Sequence, residues 1–230
     1  MSTPGTEEPT ADEAIALHRL AQAVGLDLDA QQTRQLLAYL DMLQRWNGVY
    51  NLTAVRSREG MWTQHLADCL AVVQPVARHF EARSLKSARI LDVGSGGGLP
   101  GLVLAVCLPA LAVTCVDTVS KKVAFVRQVA AELSLANLRS VHGRVESLAR
   151  STTPFDLITA RAFASLPEFV GLTQSLVAPG ACWLAMKGKT PYDEITQLPQ
   201  EIEMFHVEQL TVPGLDAQRC LVWMRPRSVA

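Results

Sequence analysis

The chain has 230 residues, of which 49% are hydrophobic and 19% are charged, and its formal net charge is −1 at pH 7. This composition is typical of a globular protein with a buried core and excludes a disordered chain. The length is sufficient for one α/β domain with a smaller appendage. The five cysteines are widely separated and form no CxxC pair, which predicts a reduced, cytoplasmic chain without a metal centre.

The N-terminal third predicts helices. Residues 1–10 are polar and acidic, and we expect a disordered tail there without a secretory signal. Apolar residues recur at helical spacing over residues 11–24, 31–46 and 61–83. No alternating strand pattern precedes residue 88, so residues 11–83 are predicted to form a helical extension.

Three residues mark the expected limits of these helices. Gly25 is predicted to end the first helix and Asp29 to cap the second, whereas Pro75 predicts a kink or a break in the third. Between the second and third helices, the polar stretch from Arg45 to Arg56 predicts a loop. One interpretation is a structural loop, whose polar side chains cap helices and whose aromatic side chains fill an interface. The alternative is that the stretch forms one wall of a substrate cleft.

Strand and helix patterns alternate after Ala88, which predicts a mostly parallel sheet covered by helices over residues 84–230. The predicted strands are 89–93, 112–116, 139–142, 155–159 and 181–186, followed by an antiparallel pair at 205–212 and 220–224. The predicted helices lie after Pro100, at 121–135 and at 166–176. The uncharged run 99–116 is interrupted by Pro100, Gly101 and Pro109, so no membrane-spanning segment is predicted.

A glycine-rich turn follows the first predicted strand. Four glycines occupy five positions from Gly94 to Gly98, and Asp92 lies at the end of the strand. Such a turn lets a ligand approach the backbone at a helix N-terminus. An acidic residue there repels a pyrophosphate and attracts an ammonium or a sulfonium, which predicts S-adenosylmethionine as the ligand. A dinucleotide is the alternative, because Gly96-x-Gly98-x-x-Gly101 also matches the dinucleotide fingerprint.

Further candidates follow the other strands. Asp117 ends the second strand and can accept hydrogen bonds from ribose hydroxyls. Val145 and Glu146 follow the third strand, where a backbone N–H could pair with adenine. Arg161 follows the fourth strand and fits a phosphate, the cofactor carboxylate or a structural loop contact. Lys187 and the nearby Lys189 follow the fifth strand, as phosphate ligands or as solvated lysines.

A string of motifs in order resembles the RsmG (GidB) family of bacterial enzymes from about residue 13 to about residue 224. The motifs are Trp46-Asn-x-x-Tyr50-Asn51-Leu52-Thr53, His65-Leu-x-Asp68, Leu99-Pro100-Gly101, Asp117-x-x-x-Lys121-Lys122, Arg144-Val145-Glu146, Arg161-Ala162-Phe163-Ala164 and Lys187-Gly188. The resemblance implies a Rossmann-like class I methyltransferase sheet and a cytoplasmic enzyme. It also implies that the enzyme methylates guanine N7 in 16S ribosomal RNA with S-adenosylmethionine. Gly97 departs from the pattern, since relatives often carry proline there.

Two sets of site residues are therefore expected. The cofactor set consists of Asp92, Gly94, Gly96, Leu99, Asp117, Val145, Glu146 and Arg161, and the substrate set consists of Asn51, His65 and Lys187. His65 could instead bond a neighbouring backbone group or Asp68.

The implied chemistry needs little from the protein. Guanine N7 has a lone pair at neutral pH, so no acid or base catalyst is expected, and Arg161 is the nearest candidate. The expected partner is small-subunit ribosomal RNA or a ribosomal particle, bound by a monomer. After residue 30, basic residues outnumber acidic ones, which fits an RNA-binding face or an ordinary solvated surface. An NAD-dependent oxidoreductase and a non-catalytic RNA-binding assembly factor are the competing functions.

Overall fold

A computed structural model of the protein describes residues 10–150 and 153–227. The predicted tail at 1–10 lies outside the described residues except for Thr10. The Thr10 side chain accepts a hydrogen bond from the backbone N–H of Glu13 at 3.3 Å, and Thr10 thereby caps the first helix.

The elements follow the predicted order, with helices before Ala88 and alternating strands and helices after it. The helices are α1 (Ala11–Ala23), α2 (Ala30–Tyr50), α3 (Arg58–Met61), α4 (Asp68–Ala82), α5 (Gly101–Cys107), α6 (Ser120–Glu132), α7 (Leu166–Thr173) and α8 (Tyr192–Thr196). A π-helical segment, Trp62–Ala67, joins α3 to α4, and 3-10 turns lie at Val145–Arg150 and Gln174–Leu176. The strands are β1 (Arg89–Val93), β2 (Ala112–Asp117), β3 (Leu138–His142), β4 (Phe155–Arg161), β5 (Val177–Lys187), β6 (Ile202–Leu210) and β7 (Arg219–Pro226).

The described residues form one seven-stranded sheet in the order β3-β2-β1-β4-β5-β7-β6. The first five strands of the chain pair in parallel, and β7 runs antiparallel to β5 and β6. The predicted mostly parallel sheet with an antiparallel closing pair is therefore confirmed. The strand order reverses at β1, between β2 and β4, and ligands of such sheets bind at the carboxyl ends of the strands beside this point.

The N-terminal helices pack on one face of the sheet and share its core. Buried leucines of α2, such as Leu36 and Leu40, belong to the same apolar cluster as Ile90 of β1 and Val113 of β2. The opposite face has its own cluster, built on Phe169 of α7 and neighbouring residues.

Hydrogen bonds fasten α2 to the α/β elements. The Gln32 amide donates to the carbonyl of Val106 at 3.2 Å, and the Gln35 amide donates to that of Leu133 at 2.8 Å. Gln32 also completes a capping box with Asp29, which confirms Asp29 as the cap of α2.

One predicted boundary is wrong. Arg45 to Tyr50 is helical and belongs to α2, although the segment is too polar for an ordinary core helix. Tertiary contacts outweigh this polarity. The Trp46 ring centroid lies 5.4 Å from that of Phe125 on α6, and the buried Asn47 side chain bonds the following loop. Only the second half of the predicted loop, from Asn51 onwards, is loop.

Two further features differ from simple sequence expectations. Pro75 lies within α4 and does not end it. The short helix α8 has no counterpart among the predicted elements, because its five residues are too few for a periodic pattern.

The contact between β1 and α5 should tolerate no added atom. A Cβ at Gly101 would lie 2.7 Å from the Cys115 sulfur and 2.8 Å from Asp92 Oδ2, whereas Gly171 of α7 has no such neighbour within 4 Å. We expect Gly101→Ala to lower the free energy of unfolding by about 1–3 kcal/mol through overpacking. Gly171→Ala, the matched control, should raise it by about 0.4–1 kcal/mol. Urea denaturation measures both, and equal effects would contradict the packing argument.

Candidate functional site

Two cavities meet at the carboxyl ends of the parallel strands. The first, of about 620 Å³, lies between the glycine turn, the loop after α2 and the ends of β4 and β5; we call it the central cavity. The second, of about 550 Å³, lies beside the ends of β2 and β3, and we call it the lateral cavity. Gly94 and Lys122 line both, so the two cavities adjoin at the first glycine of the turn.

The glycine turn needs its glycines for two reasons. Gly94, Gly96 and Gly98 have φ values of 66°, 57° and 90°, a region that favours glycine. At Gly94 an added Cβ would also lie 2.5 Å from Cδ2 of Phe163. The turn lines the central cavity from Gly94 to Gly97 and reaches the lateral cavity at Gly94. A side chain at Gly94 would disturb Phe163, which lines the lateral cavity.

Asp117 holds the turn and also lines the lateral cavity. Its Oδ2 accepts a hydrogen bond from the N–H of Gly96 at 2.9 Å, and its Oδ1 accepts one from the N–H of Val119 at 2.8 Å. Each carboxylate oxygen retains further acceptor capacity. The role of accepting ribose hydroxyls stays a prediction, for which the carboxylate has acceptor capacity at the lateral cavity.

The other predicted cofactor residues divide between the two cavities. Val145 is buried and Glu146 is exposed, and both line the lateral cavity with Asp117. Leu99 and Arg161 line the central cavity. Phe163 belongs to the same motif as Arg161 but lines the lateral cavity.

Asp92 differs from its predicted position. The sequence suggests a carboxylate at the edge of the cleft, but the Asp92 side chain is fully buried and lines neither cavity. Its Oδ2 accepts a hydrogen bond from the N–H of Gly101 at 2.8 Å, and α5 covers it because Gly101 packs directly on β1. Burial raises the pKa of Asp92 to about 7. Asp92 therefore supports the glycine turn indirectly, by binding the backbone of Gly101 where α5 begins.

Arg161 belongs to a network of charged side chains that come from distant parts of the sequence. Its Nη1 donates to the Gln64 carbonyl at 2.9 Å and to Asp68 Oδ2 at 3.3 Å. The other oxygen of the buried Asp68 accepts a hydrogen bond from Arg219 Nε at 2.9 Å. One carboxylate therefore holds two guanidinium groups, from β4 and β7, at the wall of the central cavity. Asp68 stood in the quoted motif, but only the fold brings Arg219 to it.

His65 lies in the π-helical segment and lines the central cavity. Its Nδ1 lies 3.0 Å from the Gln64 carbonyl, and its Nε2 lies 2.8 Å from the Thr53 hydroxyl. Burial, together with the charge of Arg161, lowers the pKa of His65 to about 4. The ring is therefore neutral at pH 7. Its contact with the Gln64 carbonyl corresponds to the alternative to a substrate role, a bond to a neighbouring backbone group.

The remaining substrate candidates are placed differently from each other. Lys187 lines the central cavity, where its Nζ donates to the Ala164 carbonyl and pairs with Glu194 at 2.8 Å. Asn51 is exposed, adopts the left-handed conformation at the end of α2 and does not line the cavity. Thr53 lines it instead, because the buried Asn47 accepts a hydrogen bond from its N–H at 2.8 Å.

The central cavity is electropositive. Among the described residues that line it, four carry positive charge and one, Asp68, carries negative charge. The cations are Lys122, Arg161, Lys187 and Arg219. Such a lining attracts a polyanion even though the whole chain has a net charge of −1.

Two other types of site are not found among residues 10–150 and 153–227. No cluster of three or more His, Cys, Asp or Glu side chains there could hold a metal ion. No helix in this part of the chain is both long and apolar enough to span a membrane.

The strand order and the glycine turn with an acid after β2 define a Rossmann-like methyltransferase. A solved TehB-like SAM-dependent methyltransferase from Corynebacterium glutamicum shares this fold. Its TM-score is 0.50 at 15% identity, over 83% of this chain and 99% of that chain. The family model described as rRNA small subunit methyltransferase G (GidB) matches residues 32–222. The chain belongs to this family.

Named relatives agree with this assignment. "Ribosomal RNA small subunit methyltransferase G" of Leptothrix cholodnii is 59% identical over 210 residues, covering 91% of this chain and 94% of the relative. The protein of the same name from Paracidovorax citrulli is 57% identical over 218 residues, covering 91% and 88%.

The buried carboxyl of Asp92 should leave a signature in the pH dependence of stability. Its pKa is about 7 in the folded protein and 3.8 in the reference state, so between these values the folded state binds more protons than the unfolded state. Raising the pH through this window therefore destabilises the wild type through Asp92, and Asp92→Asn removes this loss. Between pH 5 and pH 8, we expect the wild type to lose on the order of 2 kcal/mol of unfolding free energy relative to Asp92→Asn. Urea titrations measure it, and a constant difference would contradict the prediction.

Proposed function

We propose that the protein transfers a methyl group from S-adenosylmethionine to N7 of a guanine in the small-subunit ribosomal RNA. Membership of the rRNA small subunit methyltransferase G family supports the reaction and the RNA. The observation that carries the proposal is the pair of adjoining cavities. The lateral cavity is lined by Asp117 and by Gly94, the first glycine of the turn, and the central cavity is lined by the turn from Gly94 to Gly97 and by cations.

The lateral cavity fits the nucleoside half of S-adenosylmethionine. Asp117 would accept the ribose hydroxyls, and Val145 would pack on the adenine with Glu146 beside it. Gly94 would let the ligand lie against the backbone where the two cavities adjoin, and Gly96 would do so on the side of the central cavity. Asp92 is a positioning residue in this proposal, because it holds the start of α5 through Gly101.

The amino-acid end of the cofactor would lie toward the central cavity. Leu99 forms part of the wall there, and the Arg161 guanidinium is suited to a carboxylate. Asp68 and the Gln64 carbonyl use only Nη1 of Arg161, so its other donors remain for a ligand.

The chemistry requires alignment. S-adenosylmethionine supplies the methyl carbon, whose bond to sulfur breaks as the bond to guanine N7 forms. No proton is moved, so the protein needs no general base, and the neutral, hydrogen-bonded His65 agrees with that requirement. The protein contributes by holding the base in line with the methyl group, with cations such as Lys187 and Arg219 for flanking phosphates.

The proposal also covers the cellular location, the oligomeric state, the form of the substrate and the role of the N-terminal helices. We propose that the enzyme is a cytoplasmic monomer whose substrate is the RNA itself or a ribosomal particle. Residues 11–83 would act as an extension that closes the central cavity of the methyltransferase domain, residues 84–230. Thr53 and His65, both in the extension, line that cavity.

Methyl transfer provides the direct test. The purified protein is incubated with radiolabelled S-adenosylmethionine and unmodified small ribosomal subunits, and in parallel with their naked RNA. We expect label in 16S ribosomal RNA and one borohydride–aniline cleavage, because this chemistry cuts at N7-methylguanine. Label without cleavage would contradict N7 as the acceptor. Cofactor binding without label would favour the non-catalytic assembly factor, and binding of NAD without binding of S-adenosylmethionine would favour the oxidoreductase.

The position of the cofactor has a separate test. Gly94→Val places a branched side chain at a φ of 66°, within contact distance of Phe163. We expect the variant to lose calorimetric binding of S-adenosylmethionine while its circular dichroism stays that of the wild type. Gly171→Val serves as the control, because Gly171 has open space and lies on α7. Unchanged affinity in Gly94→Val would show that the cofactor does not bind at this turn.

A further inference from the structure

A third depression adjoins the central cavity on the side away from the glycine turn. It has a volume of about 480 Å³ and lies between the β5–α8 connection and the strands β6 and β7. We call it the distal groove. Its polar and aromatic lining consists of Lys189, Thr190, Tyr192, Gln209, Gln218 and Arg219.

The lining has the chemistry of a nucleic-acid surface. Lys189 and Arg219 are cationic, and Gln209 and Gln218 add amide donors. Among the described residues that line the groove, none is a carboxylate. Tyr192 is 73% exposed, which is unusual for a large aromatic side chain and leaves its ring available for stacking.

The groove is continuous with the proposed acceptor site. Arg219 lines both the central cavity and the groove, and Asp68 fixes its Nε at 2.9 Å. Lys187 lines the central cavity, and Lys189 lines the groove two residues further on. A chain of phosphates leaving the central cavity would therefore pass Lys187 first, then Arg219, which lines both regions, and then Lys189.

Local hydrogen bonds hold these side chains in place and leave them further donors for a ligand. The Gln209 amide donates to the Thr190 hydroxyl at 3.1 Å, which ties the β5–α8 connection to β6. Arg219 Nη1 donates to the carbonyl of Gln218 at 2.9 Å. Glu194, the α8 carboxylate near this connection, is paired with Lys187 and does not line the groove.

We propose that the distal groove binds the RNA nucleotides next to the methylated guanine, with Tyr192 stacked on a base and with Lys189 and Arg219 on phosphates. This inference rests on the proposed function, since it places the flanking RNA relative to the acceptor. Stacking on an aromatic ring tolerates any base, so the groove supplies affinity and the direction of the strand rather than sequence recognition.

Tyr192 is tested by a pair of variants. Tyr192→Ala should raise the Kd for unmodified 16S ribosomal RNA by about 5-fold to 100-fold, and Tyr192→Phe should restore wild-type binding because its ring still stacks. Filter binding without cofactor measures the Kd. In methyl transfer, Tyr192→Ala should raise the KM for RNA and leave the KM for S-adenosylmethionine and kcat unchanged, because Tyr192 lines neither of the two cavities assigned to the reaction.

Lys189 is tested by the salt dependence of binding. Lys189→Ala removes one proposed phosphate contact. The negative slope of the logarithm of the RNA association constant against the logarithm of the salt concentration should therefore become shallower by about 0.7–0.9. Lys86→Ala is the matched control. It also removes an exposed charge, but one just before β1, at the amino ends of the parallel strands, whereas Lys189 follows the carboxyl end of β5. It should leave the slope unchanged.

Each outcome decides the proposal. Wild-type Kd values in both Tyr192→Ala and Lys189→Ala would overturn it, as would an equal loss of binding in Lys86→Ala. A lowered affinity for S-adenosylmethionine in these variants would also overturn it, since that result indicates a general structural effect. If the wild type binds RNA but transfers no methyl group, the proposed function fails, whereas the binding series still tests the groove.

Discussion

The close packing of α5 on β1 at Gly101 is the constraint on which the site depends. At this contact the backbone N–H of Gly101 donates to Asp92, and no Cβ fits between the helix and the strand. The chain must therefore turn back sharply between Val93 and Gly101. The backbone N–H of Gly96 consequently reaches Asp117 on the next strand, so two carboxylates set the shape of the turn. Asp92 is buried between β1 and α5, and Asp117 lies beside the turn at the lateral cavity.

The N-terminal helices belong to this arrangement. The Tyr39 hydroxyl donates to the Gly97 carbonyl at 3.0 Å, so α2 contacts the glycine turn from outside. At the other end of α2, Lys121 of α6 donates to the Tyr50 carbonyl at 2.6 Å. The loop that follows α2 is then held by Asn47 and forms a wall of the central cavity. Residues from the N-terminal third of the chain, such as Thr53 and His65, are thus part of the wall of the central cavity.

Charge is distributed unevenly in the site. Asp68 is buried between Arg161 and Arg219, and a carboxylate in this position lets two like charges share one cavity wall. Through Asp68, Arg161 is linked to Arg219, and Arg219 lines both the central cavity and the distal groove. A chain with a slightly negative net charge can therefore present a positive surface where a polyanion would bind.

The sequence by itself determined the class of fold and the position of the glycine turn, because both depend on local patterns. Alternating strands and helices predict a parallel sheet, and glycines at Gly94 and Gly96 predict a turn with positive φ angles. The tertiary structure alone decided three other points. It buried Asp92 beneath α5, extended α2 through Arg45–Tyr50, and brought Arg219 to Asp68 across 151 positions of sequence. Side-chain burial and long-range ion pairs depend on how elements pack, and no local spacing encodes that packing.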